Sequence, residues 1–343
     1  MGRKIRTAEN LMLKHSLVCL MPKVSVIIPT YQSAGFVKEA IESVLAQTFK
    51  DFEIIVVDGG STDETISILS SFGKRIHVLT QNGKGVSNAR NVGVSAALGQ
   101  FIAFLDSDDF WLPHKLEFQV KLLESKPSEV GLIYSDACFF GEENIRELKN
   151  ESASTLWRSH KGKVTRDLIL GNFILTSTVM IRKSCFEKTG LFDESFELCE
   201  DIDMWVRISA IYEIEYCPLI LAKLRSRSDS MTTNLEIFLL NEIAFKNKII
   251  REKQDLLSDL PPRSFVRFYE PLFQLGLFYL LRERAPKKAK RAFRQYIKRN
   301  PYNLNAYFLL VLTLLPFNLS TRFPIRKYFL RFLPRKVRAK ISG

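Results

Sequence analysis

Between Lys23 and Leu105 the chain alternates short β-branched apolar runs with segments whose apolar positions recur every three or four residues. Residues 24–29 (VSVIIP) are apolar at nearly every position, the pattern of a strand buried on both faces. Phe36, Val37, Ala40, Ile41, Val44 and Leu45 then share one helical face. A second buried strand is predicted over 54–57 (IIVV), ending at Asp58, and a third over 76–79. Ser61-Thr62-Asp63-Glu64 has capping-box spacing ahead of Ile66 and Leu69, which predicts a helix start there. The spacing predicts a further helix over 86–98 and a fourth strand over 101–105, which runs straight into acids. Such alternation predicts an α/β domain with a mostly parallel sheet flanked by helices.

Further along, residues 141–163 become polar and charged, predicting a loop over the site. Apolar periodicity returns over 169–181, and 200–211 predicts a helix with Ile202, Trp205, Val206 and Ser209 on one side. Beyond Asn234 the spacing is helical throughout. A boundary is therefore expected near Thr232, giving an extension (1–22), a main domain (23–232) and a helical region (233–343).

Ligands of parallel sheets gather beyond the carboxyl ends of the strands. Pro29-Thr30-Tyr31, Asp58 and Asp106-Ser107-Asp108 all fall at such ends and are expected to share one pocket. The carboxylates of Asp106, Asp108 and Asp109 are hard oxygen ligands suited to Mg2+ or Mn2+ on a diphosphate, or else a solvated acidic turn. After Asp58, Gly59 and Gly60 allow close backbone approach to a ligand, or simply a tight strand-to-helix turn. Residues 82–91 (NGKGVSNARN) place a glycine loop before a helix carrying Arg90, a combination that favours phosphate oxygens or makes an ordinary surface turn. They match neither a P-loop nor a dinucleotide fingerprint. Glu200, Asp201 and Asp203 open the 200–211 helix. There the macrodipole stabilises acids, and a carboxylate is also placed to act as a general base.

Taken in order, VSVIIPTYQSAGFVKEAIESVLAQTF, VVDGGSTDET, GVSNARNVG, FIAFLDSDDFW and EDIDMWVR resemble the family 2 glycosyltransferases of the GT-A fold, over about 23–232. The resemblance implies an inverting enzyme that moves one sugar from a nucleotide-diphosphate sugar to an acceptor hydroxyl. Pro29, Thr30 and Tyr31 would line the base pocket, and Asp58 would contact the nucleoside. Asp106 and Asp108 form the D-x-D that holds ribose and metal, Mn2+ or Mg2+, on the diphosphate. Asp201 matches the catalytic base with Glu200 beside it, and Arg90 would help neutralise the departing diphosphate. One base opposite one metal-held leaving group needs no carboxylate nucleophile, so a single inverting displacement is implied. Gly59 departs from the family's commoner second Asp. In LRSRSDSMT, Leu224 and Arg227 stand where the family has Tyr and His, so Arg225 and Arg227 receive no assigned role. Q-x-x-R-W is absent around Trp111, Trp157 and Trp205, which implies single additions over processive synthesis.

Composition refines this picture mainly at the C-terminus. The net charge is +13, yet from Arg251 onward 21 Lys/Arg face 5 Asp/Glu, leaving the rest slightly acidic. Lys/Arg interleave there with Phe, Tyr and Leu, and Pro286, Pro301, Pro316, Pro324 and Pro334 predict short helices. Of a solvated basic face, an oligomer contact, a nucleic-acid surface and an anionic membrane surface, the last is favoured. Aromatics among cations suit a lipid interface, no nucleic-acid motif accompanies the charge, and the resemblance implies a glycan or lipid-linked acceptor. Cys19, Cys138, Cys185, Cys199 and Cys217 are scattered and odd in number, which favours a reducing compartment over disulfides or zinc. The apolar run 307–315 is about half the ~20 residues a spanning helix needs. Lys14 and His15 interrupt the apolar start, so residues 1–20 read as a loose extension or an upstream start rather than a signal peptide. The expected location is cytoplasmic, peripheral on the inner face of the cell membrane.

Two rival functions are weaker. A sugar nucleotidyltransferase needs a basic glycine-rich loop after the first strand, and residues 29–35 (PTYQSAG) carry no basic residue. A non-catalytic nucleotide-sugar-binding scaffold would not need Asp58, Asp106, Asp108 and Asp201 together.

Overall fold

The computed structural model describes residues 21–141, 160–227, 234–258 and 260–314. The expected N-terminal extension up to residue 20, most of the expected loop over 141–163, and Pro316, Pro324 and Pro334 lie outside the described residues. The chain divides into two compact units. Among the described residues, the first runs to Thr165 and takes up Asn172–Arg227; the second holds Arg166–Gly171 and the helices from Leu235 onward.

The first unit is built on eight strands: β1 (Val24–Thr30), β2 (Phe52–Asp58), β3 (His77–Thr80), β4 (Phe101–Phe104), β5 (Phe110–Trp111), β6 (Val130–Gly141), β7 (Val179–Arg182) and β8 (Glu213–Ser226). Their order in the sheet is β3-β2-β1-β4-β7-β6-β8-β5. The β1–β2, β2–β3, β1–β4 and β6–β8 pairs are parallel, while β7 and β5 run against their neighbours, so the sheet is mostly parallel. Helices α1 (Val37–Leu45), α2 (Thr65–Ser71), α3 (Gly85–Ala96) and α4 (Lys115–Glu124) follow strands in the first half. Then come α5 (Thr165–Leu170), which belongs to the second unit from Arg166 on, and α6 (Ser184–Thr189) and α7 (Glu200–Ser209) of the first.

The continuous apolar run of β1 makes it a central strand, and all seven of its residues are buried. Each such aliphatic side chain contributes about 1.5–3 kcal/mol on burial. Pro29 is tolerated there because β4 pairing ends before it. Leu105 N donates to Ile27 O, the last bond on that edge, while Thr30 O on the other edge accepts from Gly59 N. The register aligns Thr30 with Asp58 and Asp58 with Thr80, so three strand ends stand side by side.

One local expectation is corrected. Ser61-Thr62-Asp63-Glu64 forms no capping box, because α2 begins only at Thr65 and Glu64 makes no side-chain cap. Ser61 instead turns back to Asp58, while Asp63 Oδ1 accepts from Thr65 N. The apolar 169–181 stretch spans several elements. It comprises the end of α5, a 3-10 turn (Thr176–Thr178) and the antiparallel β7.

The second unit contains α8 (Leu235–Glu252), α9 (Gln254–Ser258), α10 (Pro262–Leu281), α11 (Pro286–Arg299) and α12 (Leu304–Leu312). Leu239, Leu277, Phe293, Tyr296, Ala306 and Leu309 are among the buried residues of its core. Pro286 stands in the first turn of α11, where its missing N–H costs nothing. No helix among the described residues is long and apolar enough to cross a membrane.

Candidate functional site

The loops after β1 and β2 are locked together. Gln32 Oε1 accepts from Thr62 N and Asp63 N, Gln32 N donates to Ser61 Oγ, and Ala34 N donates to Asp63 Oδ2. Asp58, nearly fully buried, spends its carboxylate on its own turn. Oδ2 accepts from Gly60 N (2.8 Å) and Ser61 N (2.9 Å), and Oδ1 from Ser61 Oγ (2.6 Å). That turn needs Gly60 at φ 84°, where a side chain is strained. Pro29 and Thr30 are buried and Tyr31 is exposed. The Tyr31 side chain lies over Gly59, where an added Cβ would come within 3.3 Å of the ring edge. Thr30 Oγ1 is buried without a hydrogen-bond partner.

Helix α3 carries Arg90 into the site. Its last motif glycine, Gly93, sits so close to β1 that a Cβ there would overlap Ile27 Cγ2. This close approach sets the depth of the helix. Arg90 is buried, and its Nη1 donates to Glu200 Oε1 at 2.6 Å while Nη2 donates to Asp106 Oδ1 at 2.9 Å. The guanidinium lies 5.5 Å from the Phe192 ring centroid. Asn88 and Asn91 on either side donate to Glu194, and Asn91 also exchanges hydrogen bonds with the Phe192 backbone. Arg90 thus bridges two carboxylates instead of projecting into solvent toward a phosphate.

The acids after β4 divide the work. Asp106 and Asp108 keep 36% and 30% of their side chains exposed. Asp109 is buried, with Oδ2 accepting from Ser177 Oγ (2.6 Å) and Oδ1 from Arg225 N (2.9 Å). Burial and the neighbouring Asp106 and Asp108 charges push Asp109 well above the ordinary carboxylate range. Burial, then Asp106, also raises Asp108. Ser177 ties the loop down twice, since its Oγ also accepts from Asp106 N. Ser33 and Ser107 hydroxyls meet at 2.9 Å and join this loop to the one after β1. At the end of β8, Arg225 Nε donates to the Asp108 carbonyl and its Nη2 pairs with Glu39. Arg227 Nη1 lies 3.5 Å from Asp108 Oδ2.

Helix α7 starts from Cys199, which adopts the left-handed conformation (φ 70°) that glycine normally supplies. The chain thereby enters the helix with Glu200 on Arg90 and with Asp201 half-buried beside it. Asp201 Oδ2 accepts from Asn172 Nδ2 (2.8 Å), and Oδ1 from Ile202 N (2.7 Å). Burial first, then the adjoining Glu200 charge, raises Asp201 to about 7, although Arg90 pulls the other way. A carboxylate poised there can exchange a proton near neutral pH.

The structure therefore links Asp106, Arg90 and Glu200 in one ion triad, with Asp108 following Asp106 and Asp201 following Glu200. Tyr31 and Asp58 stand on the neighbouring strand ends. Sequence patterns pointed to no role for Asn172, Ser177 or Glu194. Arg227, left without a role, lies against the D-x-D. Among the described residues no three His, Cys, Asp or Glu side chains form a ready-made cation cage. The two partly exposed carboxylates of Asp106 and Asp108 nevertheless suit a hard divalent cation that takes its remaining oxygens from a diphosphate and water.

The sequence signature described as Glycosyl transferase family 2 matches residues 25–190. The chain is 32% identical over 249 residues to the uncharacterized glycosyltransferase RP339 of Rickettsia prowazekii, covering 69% of this chain and 75% of that protein. It is 30% identical over 251 residues to the Escherichia coli UDP-Glc:alpha-D-GlcNAc-diphosphoundecaprenol beta-1,3-glucosyltransferase WfgD, covering 72% and 89%. Among solved structures, Staphylococcus aureus TarS 1–349 with UDP-GlcNAc superposes with TM-score 0.59 at 20% identity, covering 81% of each chain. The Pyrobaculum calidifontis mannosyltransferase PcManGT, solved with GDP-Man and Mn2+, superposes with TM-score 0.53 at 18% identity, covering 94% and 85%.

Proposed function

Because the chain belongs to glycosyl transferase family 2 and is a glycosyltransferase with the GT-A fold, we propose that it transfers one sugar with inversion from a UDP-sugar to a lipid-linked glycan. The observation that carries this reading is the Asp106–Arg90–Glu200 triad, which fixes the D-x-D acids and the helix bearing Asp201 in one frame. The donor class draws on the UDP-Glc in the name of WfgD and the UDP-GlcNAc bound to TarS. The acceptor class draws on the diphosphoundecaprenol in the name of WfgD. Membrane work of this kind fits a protein held peripherally at the inner face of the cell membrane.

Asp201 accepts the proton of the acceptor hydroxyl through a free lone pair of its carboxylate. The oxygen forms its bond to the anomeric carbon as the bond to the diphosphate breaks on the opposite face. The departing electron pair stays on the diphosphate oxygen. Asn172 and the Ile202 amide hold the carboxylate orientation through this step. Tyr31 offers its exposed ring to the base, and Asp58 shapes the turn beneath it. Arg90 positions Asp106 and Glu200, while Arg225 and Arg227 bring positive charge to the Asp108 side. Asp106 and Asp108 would hold Mn2+ or Mg2+, whose charge stabilises the leaving diphosphate. The Mn2+ in the PcManGT complex supports this cofactor.

A panel of UDP-, GDP- and dTDP-sugars tests the reading. It predicts nucleoside diphosphate release with a UDP-sugar and Mn2+, stimulated by an acceptor sugar on polyprenyl diphosphate. No release from any donor would refute it.

A further inference from the structure

Helix α12 carries an apolar face that stays exposed among the described residues of its unit. Leu304 (80% exposed), Tyr307 (41%) and Val311 (55%) follow helical spacing on one side, and Leu314 (60%) in the turn after the helix is exposed as well. Ala306, Leu309 and Leu312 are buried on the other, in the core shared with Phe293 and Tyr296 of α11. A soluble helix normally shows the reverse, with polar residues outward. Helix α11 holds seven Lys/Arg and no acid. Lys287, Arg291, Arg294 and Lys298 fall on one exposed stripe, opposite buried Ala289, Ala292, Phe293 and Tyr296.

We propose that α11 and α12 together form a docking surface for an anionic lipid bilayer, with α12 supplying the inserting side chains and α11 the headgroup contacts. The proposal deepens the lipid-linked acceptor reading by naming the surface that would bring the enzyme to its acceptor. A second copy of the chain is the weaker occupant, because pairing these faces would bring two acid-free cationic helices together. Interfacial helices use this division, with aliphatic and aromatic side chains entering the acyl boundary and Lys/Arg held at the phosphates.

The test is vesicle sedimentation of the full chain, on phosphatidylcholine alone and on phosphatidylcholine with phosphatidylglycerol, at 0.1 and 1 M salt. The expected result is binding to the anionic vesicles that weakens with salt. A Leu304→Asp/Val311→Asp variant should partition on the order of tenfold less. Replacing Lys287, Arg291, Arg294 and Lys298 with Ser should cost roughly fivefold per residue and flatten the salt dependence. Melting temperatures should match the parent, since the altered side chains face solvent. Donor hydrolysis, measured on all proteins, tests the transferase reading separately, because none of these residues belongs to the site. A parent that stays in the supernatant would overturn the surface. So would variants that sediment like the parent, preferential binding to a duplex DNA fragment, or dimerisation in place of vesicle binding.

Discussion

Asn172 Nδ2 lies 2.8 Å from Asp201 Oδ2, so a loop residue orients the carboxylate that opens helix α7. Its N–H favours the charged form, against the burial and the Glu200 charge that raise Asp201 to about 7. The proposed base works only when ionised. The kcat/KM for transfer is therefore expected to rise with pH through about 7 and then level off. Asn172→Ala should move that midpoint upward and lower the plateau by roughly tenfold. A pH–rate profile of both proteins measures the two effects.

The same group makes a stability prediction. Its folded value lies above the ordinary 3.8 of an aspartate in water. The folded state thus holds the proton more tightly, and stability is greatest below the unfolded value and falls as pH rises through the folded one. Asp201→Asn removes that loss. Its melting temperature should gain on the parent between pH 4 and 7, and the gain should plateau above pH 7. Melting curves across this range give the sign directly.

Arg90 answers two carboxylates from a buried position, and its removal strands both. Breaking a buried pair costs about 3–5 kcal/mol, so Arg90→Ala should unfold at markedly lower denaturant. Arg90→Lys keeps the charge but loses the planar fork, and should fall between the two. Denaturant titration of the three proteins decides.

Much of this was legible where burial dictates pattern. Strands β1, β2 and β4 read clearly because a strand covered on both faces must be apolar throughout. Strands β6 and β8 are the longest, yet neither shows a continuous apolar run. In β6, Gly131, Ser135 and Asp136 interrupt the apolar run. In β8, Pro218 and Leu219 form a bulge, with Ser135 paired to Cys217 but Asp136 to Ile220. The site divides similarly. Asp58, Asp106, Asp108 and Asp201 sit at element ends, which sequence marks. The inward turn of Arg90 does not show, since an arginine on a helix reads alike whether it faces solvent or an acid. Ser177 and Asn172 lie between α5 and β7, where the apolar periodicity marks burial but no chemistry, and only the fold brings them to Asp109 and Asp201.

The D-x-D carboxylates are expected to bind Mn2+ with or without donor. Electron paramagnetic resonance titration should show Asp108→Asn weakening that binding by on the order of tenfold or more. Chelation of the parent should abolish transfer and added Mn2+ restore it.

The most direct test of the account is Asp201→Asn, assayed for transfer alongside donor affinity. The side chain keeps its shape and loses its basicity, so UDP-sugar binding should be unchanged while turnover falls roughly 10²–10⁴-fold. Turnover within about threefold of the parent, at equal donor affinity, would contradict a general base at Asp201.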